Sequence, residues 1–193
     1  MNQLERTQGI ESGDARRIVL YSPEDFAFMR RAGQLAAATL DMITPHVVPG
    51  VTTEALDRLC HDFILDYGAV PAPLGYRGFP KSICTSVNHV VCHGIPSPRR
   101  LEEGDVLNID VTVVLDGWHG DSSRMYAAGK PPVKAQRLMD VTYEAMMRGI
   151  DMIRPGATLG DLGHAIQSFV ERQRFSVVRE FCGHGLGRAF HEP

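Results

Sequence analysis

Two strand-like runs joined by Asp116-Gly117 decide the fold of this chain: Val106-Leu107-Asn108-Ile109-Asp110-Val111-Thr112-Val113-Val114-Leu115 before the pair, and Trp118-His119-Gly120-Asp121-Ser122-Ser123-Arg124-Met125 after it. An Asp-Gly pair between two such runs is among the strongest short signals for a β-hairpin. A two-residue turn pairs Leu115 with Trp118 and, counting back, Thr112 with Asp121. Because side chains alternate along a strand, Asp110 and Asp121 are predicted to be diagonal neighbours on one face, with Cα atoms roughly 7–8 Å apart.

The second face of the first strand is apolar and predicts a core. It consists of Leu107, Ile109, Val111, Val113 and Leu115. On the acidic face, two carboxylates about 6 Å apart repel by roughly 3 kcal/mol at an effective dielectric near 20. A divalent cation reverses the sign of that interaction, and hard oxygen ligands suit one or two such ions. Two interpretations stay open at this point: a metal site, or a solvated strand face with two surface acids.

The composition is that of an ordinary globular protein. The 193 residues are enough for one domain with a substantial core, with 44% hydrophobic and 22% charged residues. A net charge of -3 gives no reason to expect nucleic acid or an anionic membrane as a partner. The four cysteines form no CxxC pair, which argues against structural zinc and fits a reducing, cytoplasmic location. No apolar run approaches the length of a membrane span.

Caps and hydrophobic spacing predict an alternation of helices and strands. Residues 1–21 are expected to be a flexible N-terminal extension. The predicted helices run from about Pro23 to Ile43, Thr53 to Tyr67, Lys134 to Ile153 and Leu159 to Arg172. Further strands are predicted within Ile83–Cys92 and at Ser176–Phe181.

An internal repeat links the two halves of the chain. Pro49-Gly50-Val51-Thr52 recurs as Pro155-Gly156-Ala157-Thr158, an offset of 106, and the same offset relates Leu56 to Leu162. The pattern indicates a duplicated unit, or else two helices that happen to start alike. A duplicated hairpin would fall near positions 212 to 232, whereas the sequence ends at Pro193. We therefore expect the chain to be a piece of a longer protein.

A glycine-rich segment near the end of the sequence surrounds one histidine: Gly183-His184-Gly185-Leu186-Gly187. The dinucleotide pattern G-x-G-x-x-G needs glycine at position 188, which is Arg188, so that interpretation fails. Small neighbours let His184 approach another group closely. His184 is either a metal ligand or a polar loop residue.

Several long motifs, in order, resemble the signature of type I methionine aminopeptidases. They are Cys84-Thr85-Ser86-Val87-Asn88-His89-Val90-Val91-Cys92-His93-Gly94-Ile95-Pro96, Asn108 to Thr112, Gly117 to Ser123, and Cys182 to Pro193. The resemblance runs from about Ser22 to the end. It implies an α/β (α+β) pita-bread fold with two pseudo-symmetric halves around a dinuclear metal site. Residues 22–193 would form that domain, with the second half missing its C-terminal strands.

The resemblance implies removal of the initiator methionine from nascent polypeptides whose second residue is small. Asp110, Asp121 and His184 would bind metal, with Asp121 bridging two divalent ions. Cobalt, manganese, iron or zinc would serve, and the ions would activate a hydroxide nucleophile. His93 and His191 would be the catalytic residues that contact the substrate, one near the scissile nitrogen and the other near the carbonyl.

The methionine pocket implied by the resemblance consists of Tyr76, Phe79, Cys84 and Phe190. Apolar and aromatic walls suit an unbranched thioether. Ordinary core or loop packing is the alternative for each of them. Pro73 and Arg77 depart from the family pattern, in which a cysteine and a histidine are common, so they change the rim of the pocket.

The largest departure from the family is the absence of two metal-binding glutamates, which would lie beyond Pro193. Activity of the 193 residues alone is therefore in question. Two alternatives stay open: a catalytically inactive binding module or fragment on the same fold, and a proline-specific peptidase of the same superfamily. The Val91 to Pro96 segment argues against the latter. We further expect a monomer without nucleic-acid or membrane partners, and a ribosomal contact stays open.

Overall fold

The computed structural model describes residues 19–192 of the chain, which form a mixed α/β domain. Its elements follow the order α1 (Pro23–Ile43), α2 (Thr53–Asp66), β1 (Val70–Pro71), β2 (Cys84–Val87), β3 (Val106–Leu115), β4 (Trp118–Ala127), α3 (Val133–Asp151) and α4 (Leu159–Arg172). Short 3₁₀ turns at Thr44–His46 and Tyr76–Gly78 complete the set. The four helices and the hairpin lie within two residues of the predicted bounds. β2 forms inside the predicted Ile83–Cys92 segment.

The helix starts are fixed by local capping. The Ser22 side chain accepts a hydrogen bond from the Asp25 backbone N–H, and the Asp25 carboxylate accepts one from the Ser22 backbone in return. This reciprocal box satisfies backbone donors that the first turn leaves unpaired. Thr158 and Asp161 form the same box at α4, and Thr52 caps α2. The capping residues explain why these boundaries were predictable.

Strand β3 is the centre of a four-stranded sheet. β4 pairs along its whole length on one side, while β1 and β2 pair on the other. The hairpin register pairs Leu115 with Trp118 and Thr112 with Asp121. The predicted register is therefore confirmed. A one-residue slip of β4 would have put Asp121 on the opposite face of the sheet from Asp110.

The core lies between the apolar face of this sheet and helices α1 and α2. Leu107, Ile109, Val111 and Val113 of β3 are fully buried there. Gly120 of β4 lies so close to the α1 backbone that a Cβ atom would overlap Ala32. The acidic face of the hairpin is left free to line a site on the other side.

The repeat is present in the structure. α2 and α4 are both 14 residues long and start and end at the same offset of 106. Gly50 and Gly156 precede them with φ values of 91° and 89°, and Gly68 and Arg174 follow them with φ values of 71° and 62°. Two helices that merely started alike would not also share the turn that follows their last residue. The matched turns at both ends therefore confirm the duplicated unit.

The strand predicted at Ser176–Phe181 is wrong, because this segment is irregular and mostly exposed. Its counterpart in the first half is β1, which is a strand only because Val70 and Pro71 pair with Val114 and Val113. None of the strands within residues 19–192 gives Ser176–Phe181 an equivalent partner. A strand needs a neighbouring strand to pair with its backbone N–H and C=O groups. The residue pattern of a segment does not show whether such a neighbour is present.

The predicted N-terminal extension falls mostly on residues 1–18, which lie outside the described part of the chain, so it stays a prediction there. Tyr21, at its edge, packs against the core. None of the helices within residues 19–192 combines the length and hydrophobicity that a bilayer span requires.

Candidate active site

One cavity of about 510 Å³ opens on the acidic face of the hairpin. Every residue that the sequence analysis assigned to metal, catalysis or the methionine pocket lines it. They are Tyr76, Phe79, Cys84, His93, Asp110, Asp121, His184, Phe190 and His191. Pro73 and Arg77, the two departures from the family pattern, line it as well. The structure thus brings together residues separated by as many as 118 positions.

Asp110 and Asp121 form the floor of the cavity. Asp110 lies opposite Cys84 of β2 and Asp121 lies opposite Thr112, so the sheet register places all four side chains on one face. Burial and the neighbouring Asp121 carboxylate raise the pKa of Asp110 to about 6. The pair is electrostatically unfavourable when both groups are ionised, which is the condition that a bound cation relieves.

Cys84 forms a neutral wall beside the aspartates. Its side chain is buried, and burial together with Asp110 raises the pKa of the thiol to about 12. The group is therefore a protonated thiol at neutral pH, not a thiolate. A neutral thiol in the cavity wall favours contact with an apolar side chain. Because it is not a thiolate, Cys84 is also a poor metal ligand.

His184 presents one ring nitrogen to the carboxylates. Its Nε2 lies 3.6 Å from Oδ2 of Asp121, and its Nδ1 lies 2.9 Å from the carbonyl oxygen of Gly185. A neutral ring that donates from Nδ1 to this carbonyl turns the Nε2 lone pair toward Asp121. That arrangement is the one used by metal-binding histidines, whose second nitrogen is held by a hydrogen bond.

The donor set fits a divalent metal ion in chemistry. Two carboxylates and one imidazole converge, a mixed oxygen and nitrogen set that suits manganese, iron, cobalt or zinc. Within residues 19–192, however, no group of three or more His, Cys, Asp and Glu side chains is close enough to hold an ion by itself. The structure therefore supplies suitable donor types at one place, and the assignment of Asp110, Asp121 and His184 to metal stays a prediction.

His93 is held in a strained backbone conformation. Its φ of 54° lies in the left-handed region, which non-glycine residues seldom adopt. The next residue, Gly94, accepts a 2.8 Å hydrogen bond from the Thr85 backbone at such close approach that a Cβ atom would overlap Thr85. The strain is thus imposed by the pairing with β2. It aims the imidazole into the cavity, as strained residues in active sites often are aimed.

His191 lies in an aromatic cluster at the opposite wall. The Tyr76 hydroxyl is 3.0 Å from its Nδ1, and the Phe190 and His184 ring centroids are 4.4 Å and 4.3 Å from its own. Burial and the neighbouring charges of His184 and Arg77 lower the pKa of His191. A neutral His191 can both accept and donate a hydrogen bond near neutral pH.

Sequence reasoning missed His119. Its backbone N–H donates a 2.9 Å hydrogen bond to the carbonyl of Gly187, and its ring stacks on Phe190 at 5.7 Å. The residue therefore attaches the glycine-rich loop to the hairpin. The register offered a signal, because His119 shares its face with Asp121 two positions away.

A second polar cluster anchors the segment that carries Phe79 and Cys84. The buried carboxylate of Asp57 accepts hydrogen bonds of 2.8 Å and 3.1 Å from the backbone N–H groups of Ser82 and Ile83. Lys81 donates to Glu54 at 2.7 Å. Helix α2 thereby fixes one wall of the site from behind.

Comparison with known proteins shows the family. The model of "Metallopeptidase family M24" matches residues 27–193. The chain belongs to metallopeptidase family M24. It is 61% identical over 175 residues to the methionine aminopeptidase of Rickettsia prowazekii, covering 91% of this chain and 68% of the relative. The crystal structure of the methionine aminopeptidase from the same organism superposes with a TM-score of 0.90 at 60% identity, covering 91% of this chain and 71% of that one.

These similarities confirm the pita-bread fold and the resemblance to methionine aminopeptidases. The Xaa-Pro dipeptidase of Bacillus anthracis also shares this M24 fold, with a TM-score of 0.77 over 89% of this chain and 47% of that one; its 22% identity supports the fold alone. The chain spans about two thirds of the length of its methionine aminopeptidase relative.

Proposed function

We propose that this M24 chain is the main part of a metal-dependent methionine aminopeptidase, which removes the initiator methionine from nascent polypeptides with a small second residue. One observation carries the proposal. A single cavity joins a carboxylate pair, three histidines and an apolar sulfur and aromatic pocket. The 61% identity to a methionine aminopeptidase favours this activity over the proline-specific alternative.

The residues on the floor of the cavity are assigned to metal binding, and those on its walls to the substrate. Asp110, Asp121 and His184 would hold the ions. When bound, divalent metal ions supply Lewis acidity, polarising the scissile carbonyl and providing a nucleophilic water. Because burial and Asp121 raise the pKa of Asp110 to about 6, cation binding at or below that pH would displace a proton from this carboxyl.

His93 and His191 would contact the scissile amide from opposite sides. His93 is fixed by its strained backbone, and His191 by the Tyr76 hydroxyl. One imidazole would donate to the carbonyl oxygen, and the other would accept from or donate to the amide nitrogen. Rigid placement of both groups lowers the entropic cost of reaching the transition state.

Tyr76, Phe79, Cys84 and Phe190 would enclose the methionine side chain. Sulfur interacts favourably with aromatic rings, and an unbranched thioether adapts to an irregular apolar pocket. The protonated Cys84 adds no charge to the pocket. We therefore expect charged first residues to be rejected, because their desolvation would not be compensated.

The finer parts of the proposal follow from the family resemblance. They are a pair of ions drawn from cobalt, manganese, iron and zinc, a cytoplasmic monomer, and contact with ribosome-borne substrates. Metal analysis of the purified protein by mass spectrometry tests the first, and light scattering tests the monomer. Cosedimentation with ribosomes tests the third.

The deciding experiment uses the protein expressed from its full coding frame, assayed with Met-Ala-Ser and Leu-Ala-Ser peptides. We expect release of methionine, no release of leucine, and loss of activity in a chelator. Asp121→Asn should abolish turnover and lower metal content, since it removes a shared ligand.

Asp116→Asn makes the same chemical change in the exposed hairpin turn and serves as the matched control. It should leave activity within about twofold, as surface substitutions usually do. Equal release of leucine, or full activity of Asp121→Asn, would rule out the proposal.

A further inference from the structure

The loop that carries His184 and His191 is closed on itself and tied to the N-terminal edge of the domain. Gly185 and Glu192 exchange backbone hydrogen bonds of 2.8 Å and 2.9 Å, which bring the two ends of the loop together. The Glu192 carboxylate also accepts a 3.0 Å hydrogen bond from the Ala189 backbone. Both of its oxygens lie 2.7 Å from the hydroxyl of Tyr21, which is 171 positions away in sequence.

Tyr21 is itself fixed by the core. Its ring meets the edge of Trp118 with centroids 5.1 Å apart, and Trp118 is only 1% exposed. The guanidinium of Arg188, from the same loop, lies 4.3 Å from the Trp118 ring. The loop therefore rests on a rigid platform at the start of β4, the strand that carries Asp121.

Gly187 shows how close this contact is. A Cβ atom there would overlap the Tyr21 hydroxyl and the Glu192 carboxylate. The Gly187 carbonyl meanwhile accepts the His119 backbone N–H at 2.9 Å. The loop is thus held between Tyr21 on one side and the hairpin on the other, with no room for a side chain between them.

We propose that Tyr21 and Glu192 form a clamp that positions His184 and His191 over the carboxylate pair. Neither residue lines the cavity, so both are positioning residues and not catalytic ones. The inference rests on the proposed function, since it assigns His184 to metal and His191 to substrate. Because the acceptor is the carboxylate of Glu192, the hydrogen bond from the Tyr21 hydroxyl is stronger than one between two neutral groups.

Tyr21→Phe is the central test, because it removes the hydroxyl and keeps the ring that packs on Trp118. Tyr143→Phe makes the same change on an exposed face of α3, where the residue is 63% exposed, and is the matched control. Glu192→Ala and the double variant complete a mutant cycle. All are compared in the protein expressed from its full coding frame, at a temperature where each is folded by circular dichroism.

Three readouts separate positioning from mere stability: the Kd for Mn²⁺ by calorimetry, kcat and KM for Met-Ala-Ser, and emission of Trp118, the one tryptophan of the chain. We expect Tyr21→Phe and Glu192→Ala each to weaken Mn²⁺ binding and lower kcat by about five- to tenfold, as for the loss of one typical hydrogen bond. The double variant should be no worse than Glu192→Ala, and Trp118 emission should change in all three. Tyr143→Phe should match the parent.

Mn²⁺ affinity and kcat within twofold of the parent in Tyr21→Phe would overturn the clamp, as would additive losses in the double variant. If Glu192→Ala does not fold, Tyr21→Phe alone decides the question. A parent protein that binds Mn²⁺ but releases no methionine would refute the proposed function instead, and the Mn²⁺ affinities would still judge the clamp.

Discussion

The hydroxyl of Tyr76 lies 3.0 Å from Nδ1 of His191, and the two rings stack with centroids 5.4 Å apart. Tyr76 belongs to the irregular loop before β2, whereas His191 belongs to the loop after α4. The contact therefore joins the two halves of the duplicated fold across the cavity. It also leaves Nε2 as the nitrogen of His191 that does not face the hydroxyl.

Tyr76→Phe should lower kcat about fivefold, because the loss of one hydrogen bond leaves the His191 ring free to rotate. KM should change little, since the aromatic ring of the methionine pocket is retained. Steady-state kinetics on Met-Ala-Ser checks this, with Tyr67→Phe, an exposed tyrosine at the end of α2, as the control. A change confined to KM would place the hydroxyl in methionine binding and not in the orientation of His191.

The stability of the metal-free protein should depend on Asp110 between about pH 4 and pH 6. The folded-state pKa of about 6 lies above the ordinary value of 3.8, so in this window the folded chain keeps a proton that the unfolded chain has lost. The free energy of unfolding should therefore fall by about 3 kcal/mol as the pH rises through the window. Asp110→Asn cannot ionise and should lack this component.

Urea unfolding in chelator, at the two ends of the window, measures the difference between parent and Asp110→Asn. Asp116→Asn, in the exposed turn, should follow the parent. Parallel pH profiles for the parent and Asp110→Asn would mean that ionisation of Asp110 does not lower the free energy of unfolding.

Gly120→Ala should destabilise the domain by roughly 1–3 kcal/mol, as overpacking of a close contact does. The added methyl group would overlap the α1 backbone at Ala32 and push the helix away from β4. Gly163→Ala is the counterpart on α4, where a Cβ atom meets nothing within 4 Å. There the higher helix propensity of alanine should stabilise by about 0.5–1 kcal/mol. Denaturant midpoints of the two variants should thus move in opposite directions.

Alkylation of the cysteines should be sharply selective. Burial raises the pKa of both Cys60 and Cys84 to about 12, so neither forms an appreciable thiolate near pH 8. Cys182 is exposed and should react first with iodoacetamide. Peptide mapping by mass spectrometry checks the order. Modification of Cys84 at the rate of Cys182 would show that the sheet around Asp110 opens readily.

The parts of the fold that depend on local chemistry were predictable from the sequence. Asp116-Gly117 specified the turn and hence the Thr112–Asp121 register, and Ser22 and Thr158 specified helix starts. The parts that depend on distant partners were not. Ser176–Phe181 is irregular because none of the strands within residues 19–192 pairs with it, and its residue pattern alone does not reveal this.

The candidate site shows the same division. Asp110, Asp121 and His184 carry chemistry that their residue types and spacing suggest, and the family resemblance supplied His93, His191 and the pocket. The left-handed backbone of His93 and the Tyr21–Glu192 contact left no mark in the sequence pattern. Both arise from tertiary packing between segments that are distant in sequence, and secondary-structure propensity does not describe such contacts.

The hairpin that pairs Thr112 with Asp121 has a consequence for the order in which the protein folds. We expect Asp110 and Asp121 to become neighbours when the local hairpin closes, a process of about 1–10 μs, whereas His184 lies beyond α3 and α4 in the chain. This order predicts that the two carboxylates face each other early in folding, before the imidazole of His184 joins them. Divalent cations present during refolding should neutralise that repulsion and speed the first phase, so the metal would act on the folding pathway before it serves in catalysis.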